Sequence, residues 1–262
     1  MRVGIFDSGI GGLSVLHQAL REIPEAEFIY YADEEHVPYG EKTGEQIRGY
    51  IDEIIRFMLE KQVDAIVIAC NTATSVATKE YRSRFPVPII GMEPAVKQAV
   101  EVYGHLPGRI LVAATPVTIA GDKLHHLLEQ VDREDRVDLV ALPGLVRFAE
   151  RGDFHTEEIT EYLRNELKNY SPENYKAFVL GCTHFNYFKA YYKRIFPDTV
   201  QLVDGNAGTI RQLMRKLGIR KEKDPFEKEG NGRIQYYFSG KPVTKEEKKR
   251  IETYIEQLDI LE

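Results

Sequence analysis

Short apolar runs and longer amphipathic stretches alternate along the whole chain, and few architectures accommodate that alternation. The runs are Val3–Phe6, Glu27–Tyr31, Ala65–Ala69, Pro88–Gly91, Ile110–Ala114, Val137–Ala141, Ala177–Gly181 and Thr199–Val203. Each is rich in β-branched or aromatic residues, as a strand buried on both faces requires. Between them, Ile47–Glu60 places Ile47, Ile51, Ile54, Ile55 and Met58 at helical spacing. Thr156–Leu167 does the same with Ile159, Leu163 and Leu167, and Thr244–Leu258 with Ile251, Tyr254, Ile255 and Leu258. Gly230–Gly232 and Ser239–Pro242 read as turns around a short strand, Arg233–Phe238. Strands alternating with helices predict an α/β fold with mostly parallel sheets.

A weak internal repeat refines this. Ala65-Ile-Val-Ile-Ala-Cys70 aligns with Ala177-Phe-Val-Leu-Gly-Cys182 at an offset of 112 residues. Tyr81-Arg-Ser-Arg-Phe-Pro86 aligns with Tyr192-Lys-Arg-Ile-Phe-Pro197 at an offset of 111, and Arg2–Asp7 is echoed by Arg109–Ala114. Two matches in the same order at near-equal offsets predict two similar halves. Each half then delivers a cysteine at the carboxyl end of a strand, where open α/β sheets bind ligands.

Composition removes several function classes. With 262 residues, 43% hydrophobic and 29% charged, the chain holds enough apolar material for a core. Its formal charge of −6 lacks the positive field that nucleic acid selects, so no nucleic-acid partner is expected. No run approaches the roughly 20 apolar residues that cross a bilayer, so no membrane partner is expected either. The start, Met1-Arg-Val-Gly-Ile-Phe-Asp7, does not read as a signal peptide, and a cytoplasmic location is expected.

Cys70 and Cys182 are the chain's two cysteines. In a reducing compartment they are not expected to pair, and two thiols outside any Cys-x-x-Cys motif do not make a zinc site. The plain alternative is that each is a small buried hydrophobe. Their neighbours carry more chemistry than that alternative needs. Asn71, Thr72, Ala73 and Thr74 follow Cys70, Thr183 and His184 follow Cys182, and Thr115 and Thr118 follow Ile110–Ala114. Small hydroxyl and amide groups there can hold a small zwitterion. A helix N-terminus or a protonated histidine lowers a thiol's pKa. Asp7, Glu150 and His184 are the ionisable groups placed near the thiols to tune or relay protons. After Val3–Phe6, Asp7-Ser8-Gly9-Ile10-Gly11-Gly12 forms a strand-to-helix turn. Its glycines permit positive φ and close backbone approach, and its N–H groups suit a carboxylate ligand at least as well as a phosphate.

Two thiols facing one small ligand suit two-base racemisation, one removing a proton from a stereocentre while the other delivers one to the opposite face. A cysteine hydrolase needs one thiol, and pyridoxal chemistry needs a lysine that no motif nominates. A non-catalytic amino-acid binding protein needs neither thiol. A metal site at Asp122, His125 and His126 lacks a convincing fourth ligand.

At these residues the sequence resembles the glutamate racemases, a cofactor-independent branch of the aspartate/glutamate racemase superfamily. The marks are Phe6-Asp-Ser-Gly-Ile-Gly-Gly-Leu-Ser-Val15, Pro38-Tyr39-Gly40, Cys70-Asn71-Thr72-Ala73, Thr115 with Thr118, Gly181-Cys182-Thr183-His184 and the late Tyr236–Gly240 segment. The resemblance implies interconversion of L- and D-glutamate for peptidoglycan, with no metal or organic cofactor. It implies that Cys70 deprotonates D-glutamate and Cys182 L-glutamate, assisted by Asp7, His184 and Glu150. It places Asp7, Ser8, Pro38, Tyr39, Gly40, Cys70, Asn71, Thr72, Thr115, Thr118, Cys182, Thr183 and His184 around the substrate. It also implies two pseudosymmetric α/β domains, residues 1–96 plus 209–262 and residues 97–208, with the active site in the cleft between them. A homodimer is an expected assembly, and aspartate is the nearest alternative substrate. The chain departs from the family pattern at Glu93-Pro94-Ala95, in Ile119–Leu124, and at His36, where the family more often carries arginine.

Overall fold

The computed structural model describes residues 1–92, 95–219 and 233–260. Gly230–Gly232 and Glu93-Pro94 lie outside the described residues. Among the described residues the strands are β1 (Arg2–Asp7), β2 (Glu27–Ala32), β3 (Ala65–Ile68), β4 (Ile89–Gly91), β5 (Arg109–Ala114), β6 (Val137–Ala141), β7 (Tyr175–Leu180), β8 (Gln201–Asp204), β9 (Ile234–Phe238) and β10 (Lys241–Pro242). They form two sheets, ordered β10-β9-β2-β1-β3-β4 and β6-β5-β7-β8. Every pairing is parallel except β9 with β10.

The order β2-β1-β3-β4 in the first sheet is matched, strand for strand, by β6-β5-β7-β8 in the second. This is the structural content of the weak sequence repeat. The Arg2 and Arg109 runs are the equivalent strands β1 and β5. The runs before the cysteines are β3 and β7, each hydrogen-bonded between its sheet's β1-type and β4-type strand.

Side chains alternate across each strand, so each sheet buries two faces. One apolar cluster joins the sheets, taking Val3 and Ile5 from β1, Val67 from β3, Leu111 from β5 and Phe178 from β7. Phe6, Ile66 and Ile68 point the other way, onto a cluster that includes all five apolar residues predicted for the helix after β2. That helix, Gly44–Glu60, starts at a capping box between Thr43 and Gln46, which satisfies two of its orphan N–H groups. Ile110, Val112, Ala177 and Val179 belong to a third cluster on the far face of the second sheet.

The segment Ser239–Pro242, read from sequence as a turn, divides in two. Ser239 (φ 43°) and Gly240 (φ 80°) form the turn, and Lys241–Pro242 is a two-residue antiparallel strand. Positive φ at both central residues suits a two-residue hairpin. A strand this short, with proline in it, leaves no periodicity to read. The final helix, Lys245–Ile260, buries Ile251, Tyr254 and Leu258. Its Tyr254 hydroxyl donates to the carbonyls of Ala149 (2.8 Å) and Glu150 (3.2 Å), beyond the second sheet's β6. No helix among the described residues is long and apolar enough to cross a membrane.

Candidate active site

Parallel strands with equivalent order bring their carboxyl ends together, and that puts both cysteines on one cleft. Cys70 follows β3 and caps the helix Asn71–Val76, its sulfur accepting the Ala73 N–H at 3.4 Å. Its thiol points to Ser8 Oγ at 3.8 Å. Cys182 follows β7 and leads into a 3₁₀ stretch, Thr183–Phe188, with its sulfur 3.6 Å from His184 Nδ1. Both are free thiols and both are buried. Burial alone would fit inert core cysteines; their shared cleft does not. The cleft has about 400 Å³ of empty space, and both sulfur-bearing residues line it with Ser8, Pro38, Tyr39, Gly40, Thr72, Thr115 and His184.

Asp7 ends β1 and is wholly buried. Its carboxylate accepts the Ser8 N–H at 2.7 Å and the Thr183 hydroxyl at 3.0 Å, joining the two halves behind the thiols. Burial raises its pKa, opposed by the nearby His184 and by the Ser8 N–H. His184 is also buried, and Nε2 lies 2.5 Å from Glu150 Oε1. Burial opposes the charge on His184, yet Cys182 and Glu150 together outweigh it and raise its pKa well above the ordinary 6.5. A protonated His184 is therefore favoured beside the Cys182 sulfur.

Cys70 departs from the expectation for a thiol at a helix N-terminus. Burial pushes its pKa well above the usual value and the Asp7 charge adds to this, while the Ala73 N–H and Ser8 hydroxyl pull only partly the other way. At this buried position desolvation outweighs the backbone donor, and Cys70 rests as the neutral thiol.

The glycine turn, whose Ser8 lines the cleft, also engages a carboxylate from the other half. The carboxylate at its N–H groups is the protein's own: Ile10 N donates to Glu150 Oε1 at 3.0 Å. The turn glycines are not among those with positive φ. They are required by close approach, because a Cβ on Gly9 would lie 1.9 Å from Glu150 Oε1 and one on Gly11 2.4 Å from His184 Nδ1.

Of the remaining expected residues, some belong to the cleft wall and others sit one step back. Thr72 joins Thr115 (3.0 Å) and Thr118 (3.4 Å) in a hydroxyl cluster across the halves. Asn71 and Thr118 line a neighbouring, mostly apolar pocket that is open to solvent. Asp7 and Thr183 lie behind the cleft wall, with Asp7 accepting from both Ser8 and Thr183. Glu41, Pro116, Pro143 and Val146 line the cleft without having been expected. Pro116 and Pro143 had a legible signal, a proline just after a strand end. Val146 belongs to an ordinary amphipathic helix face, and Glu41 is paired at 3.1 Å with the exposed Arg147, so neither stood out. Among the described residues no three His, Cys, Asp or Glu side chains gather as metal ligands. The arrangement offers two sulfur acids or bases to one small ligand, each with an ionisable neighbour.

Residues 8–213 match the family model described as Asp/Glu/Hydantoin racemase. A glutamate racemase from Lachnospira eligens is 48% identical over 263 residues, covering 99% of this chain and 98% of that protein. The glutamate racemase structure from Campylobacter jejuni superposes with a TM-score of 0.82 at 27% identity, covering 98% of both chains. The Escherichia coli glutamate racemase, solved with L-glutamate and the activator UDP-MurNAc-ala, gives 0.78 at 25% identity, covering 93% of this chain and 99% of that one. The chain belongs to the Asp/Glu/Hydantoin racemase family and is an isomerase.

Proposed function

We propose that this enzyme interconverts L- and D-glutamate by moving the α-proton between Cys70 and Cys182, without metal or organic cofactor. The observation that carries the reading is that these two thiols, from equivalent strands of two like sheets, line one small cleft. In the direction from L-glutamate, Cys182 as thiolate takes the α-proton, and the Cα–H electron pair passes into the substrate carboxylate. Cys70 then gives its thiol proton to the opposite face. The product is D-glutamate, with the thiol and thiolate exchanged; the reverse direction begins with Cys70 as base.

The α-proton is far less acidic than a thiol, so the cleft must stabilise the carbanion with fixed donors and exclude water. The Ser8 and Thr72–Thr115–Thr118 hydroxyls are polar groups held by the fold before substrate arrives, each able to turn its proton toward it. A protonated His184, oriented by Glu150, assists Cys182. Asp7, behind Ser8, assists Cys70. Two domains, residues 1–96 plus 209–262 and residues 97–208, would open to admit substrate and close over it. The D-glutamate supplies bacterial peptidoglycan, which fits a cytoplasmic enzyme, and a homodimer is the proposed assembly.

Glutamate is preferred over aspartate because the relatives that match nearly the whole chain are glutamate racemases. The test is circular dichroism of L-glutamate and of L-aspartate incubated with the protein and a chelator in D2O. Decay of the glutamate signal, unaffected by chelator and with deuterium entering Cα, is expected. Decay with aspartate alone would reassign the substrate.

A further inference from the structure

Asp33 stands just past β2 and is almost wholly buried, yet it is outside the cleft lining and outside the machinery described above. Three side chains converge on its carboxylate. Tyr39 donates its hydroxyl at 2.6 Å, His36 Nδ1 lies at 2.8 Å, and the Ser239 hydroxyl donates at 3.2 Å. The backbone N–H of Asp33 donates to the Asp7 carbonyl at 3.0 Å, so this carboxylate is anchored to the strand end that carries the assisting acid.

Each partner leads somewhere different. Tyr39, with 1% of its surface exposed, forms part of the cleft wall beside Pro38 and Gly40. His36 stacks on Tyr50 with ring centroids 3.8 Å apart, bracing the loop against the helix Gly44–Glu60. Ser239 lies in the hairpin turn between β9 and β10, where its oxygen also accepts the Glu35 N–H at 3.0 Å. The Tyr39 proton is committed to Asp33. Burial and the Asp33 charge both raise the phenol's pKa, so Tyr39 keeps that proton. Tyr39 therefore faces the cleft as a fixed wall, with its donor turned away from the ligand.

We infer that Asp33 is a positioning residue that fixes the Tyr39 wall of the cleft and fastens it, through Ser239, to the C-terminal hairpin. Hydrogen bonds to an ionised carboxylate are the strong kind, and three on one buried group define a geometry well. The inference rests on the racemase reading of the cleft for its kinetic consequence, although the wall itself can be read without catalysis.

The experiment compares wild type with Tyr39→Phe, Ser239→Ala, the double variant and Asp33→Asn. Two readouts are used: KM for L-glutamate, and the rate at which iodoacetamide alkylates Cys70, followed by mass spectrometry below the thermal transition. Loss of a charged hydrogen bond predicts a rise of about tenfold in KM and in alkylation rate for Tyr39→Phe. Ser239→Ala, remote from the cleft, moves both in the same direction by a smaller factor and leaves kcat unchanged. The double variant falls short of the product of the singles, because both act through one carboxylate. Asp33→Asn matches or exceeds the double; if it does not fold, the Tyr39–Ser239 cycle decides alone. Unchanged alkylation in both single variants, or effects that simply multiply, would overturn the inference. A wild type that leaves glutamate unracemised removes the substrate reading only, and the alkylation cycle still decides the role of Asp33.

Discussion

Gly11 and His184 touch so closely across the two halves that a Cβ on Gly11 would lie 2.4 Å from His184 Nδ1 and 2.6 Å from the Thr183 hydroxyl. The glycine turn is thus a mould for the second thiol's surroundings, as Gly9 is for Glu150. Gly11→Ala must displace the imidazole that faces Cys182. A displacement of about 1 Å can cost roughly 10²-fold in rate, and that is the loss expected in kcat. Steady-state kinetics beside a circular dichroism spectrum checks it, with native secondary structure and a depressed kcat as the expected pair.

Asp7 is held ready at a stability cost, because burial disfavours its charge. A carboxyl whose pKa is raised on folding binds its proton more tightly in the folded state, so its contribution to stability falls as pH rises through the folded value. Asp7→Asn removes that dependence, while its amide oxygen can still accept the Ser8 N–H and its NH2 can donate to the Thr183 hydroxyl. The variant should gain in thermal midpoint relative to wild type as pH rises from the ordinary carboxylate value of 3.8 toward neutrality. It should also lose about 10²-fold or more in racemisation. A midpoint difference that stays flat with pH would contradict the assignment.

His184 gives a related dependence through a cation. Its folded-state pKa is well above 6.5, so its stabilising contribution is fully present below 6.5 and is lost as pH rises through the folded value. The thermal midpoint of wild type minus that of His184→Gln should therefore shrink on going from pH 6 toward alkaline pH. Glu150→Gln, which removes the partner at 2.5 Å, should bring the loss to lower pH. Midpoint differences independent of pH would show that folding leaves the imidazole's pKa unshifted, and would contradict this assignment.

Much of this was legible in the sequence, for particular reasons. The β3 and β7 runs were readable because strands buried on both faces are short, unbroken and apolar, and their alignment at a constant offset anticipated equivalent strands. Thiols at strand ends followed from that, since a parallel sheet presents all its carboxyl ends together. What stayed hidden was contact between distant segments. Nothing local to Glu150 says that it reaches Ile10, 140 positions away, and nothing local to Asp33 says that Ser239 will lie beside it. Two residues of β10 are too few for a pattern. The Cys70 environment stayed hidden for a similar reason: a helix N-terminus is visible in sequence, but the burial that outweighs it is not.

The central claim is that each thiol serves one face of a single carbon, and isotope entry measures this most directly. L-Glutamate is incubated in D2O with wild type, Cys70→Ala and Cys182→Ala, and both the enantiomeric composition and the α-deuterium content are followed. Wild type is expected to form D-glutamate carrying deuterium at Cα. Each variant is expected to keep the native circular dichroism spectrum of the fold and to lose at least about 10²-fold of racemisation. Normal turnover by either single variant would contradict the two-thiol account.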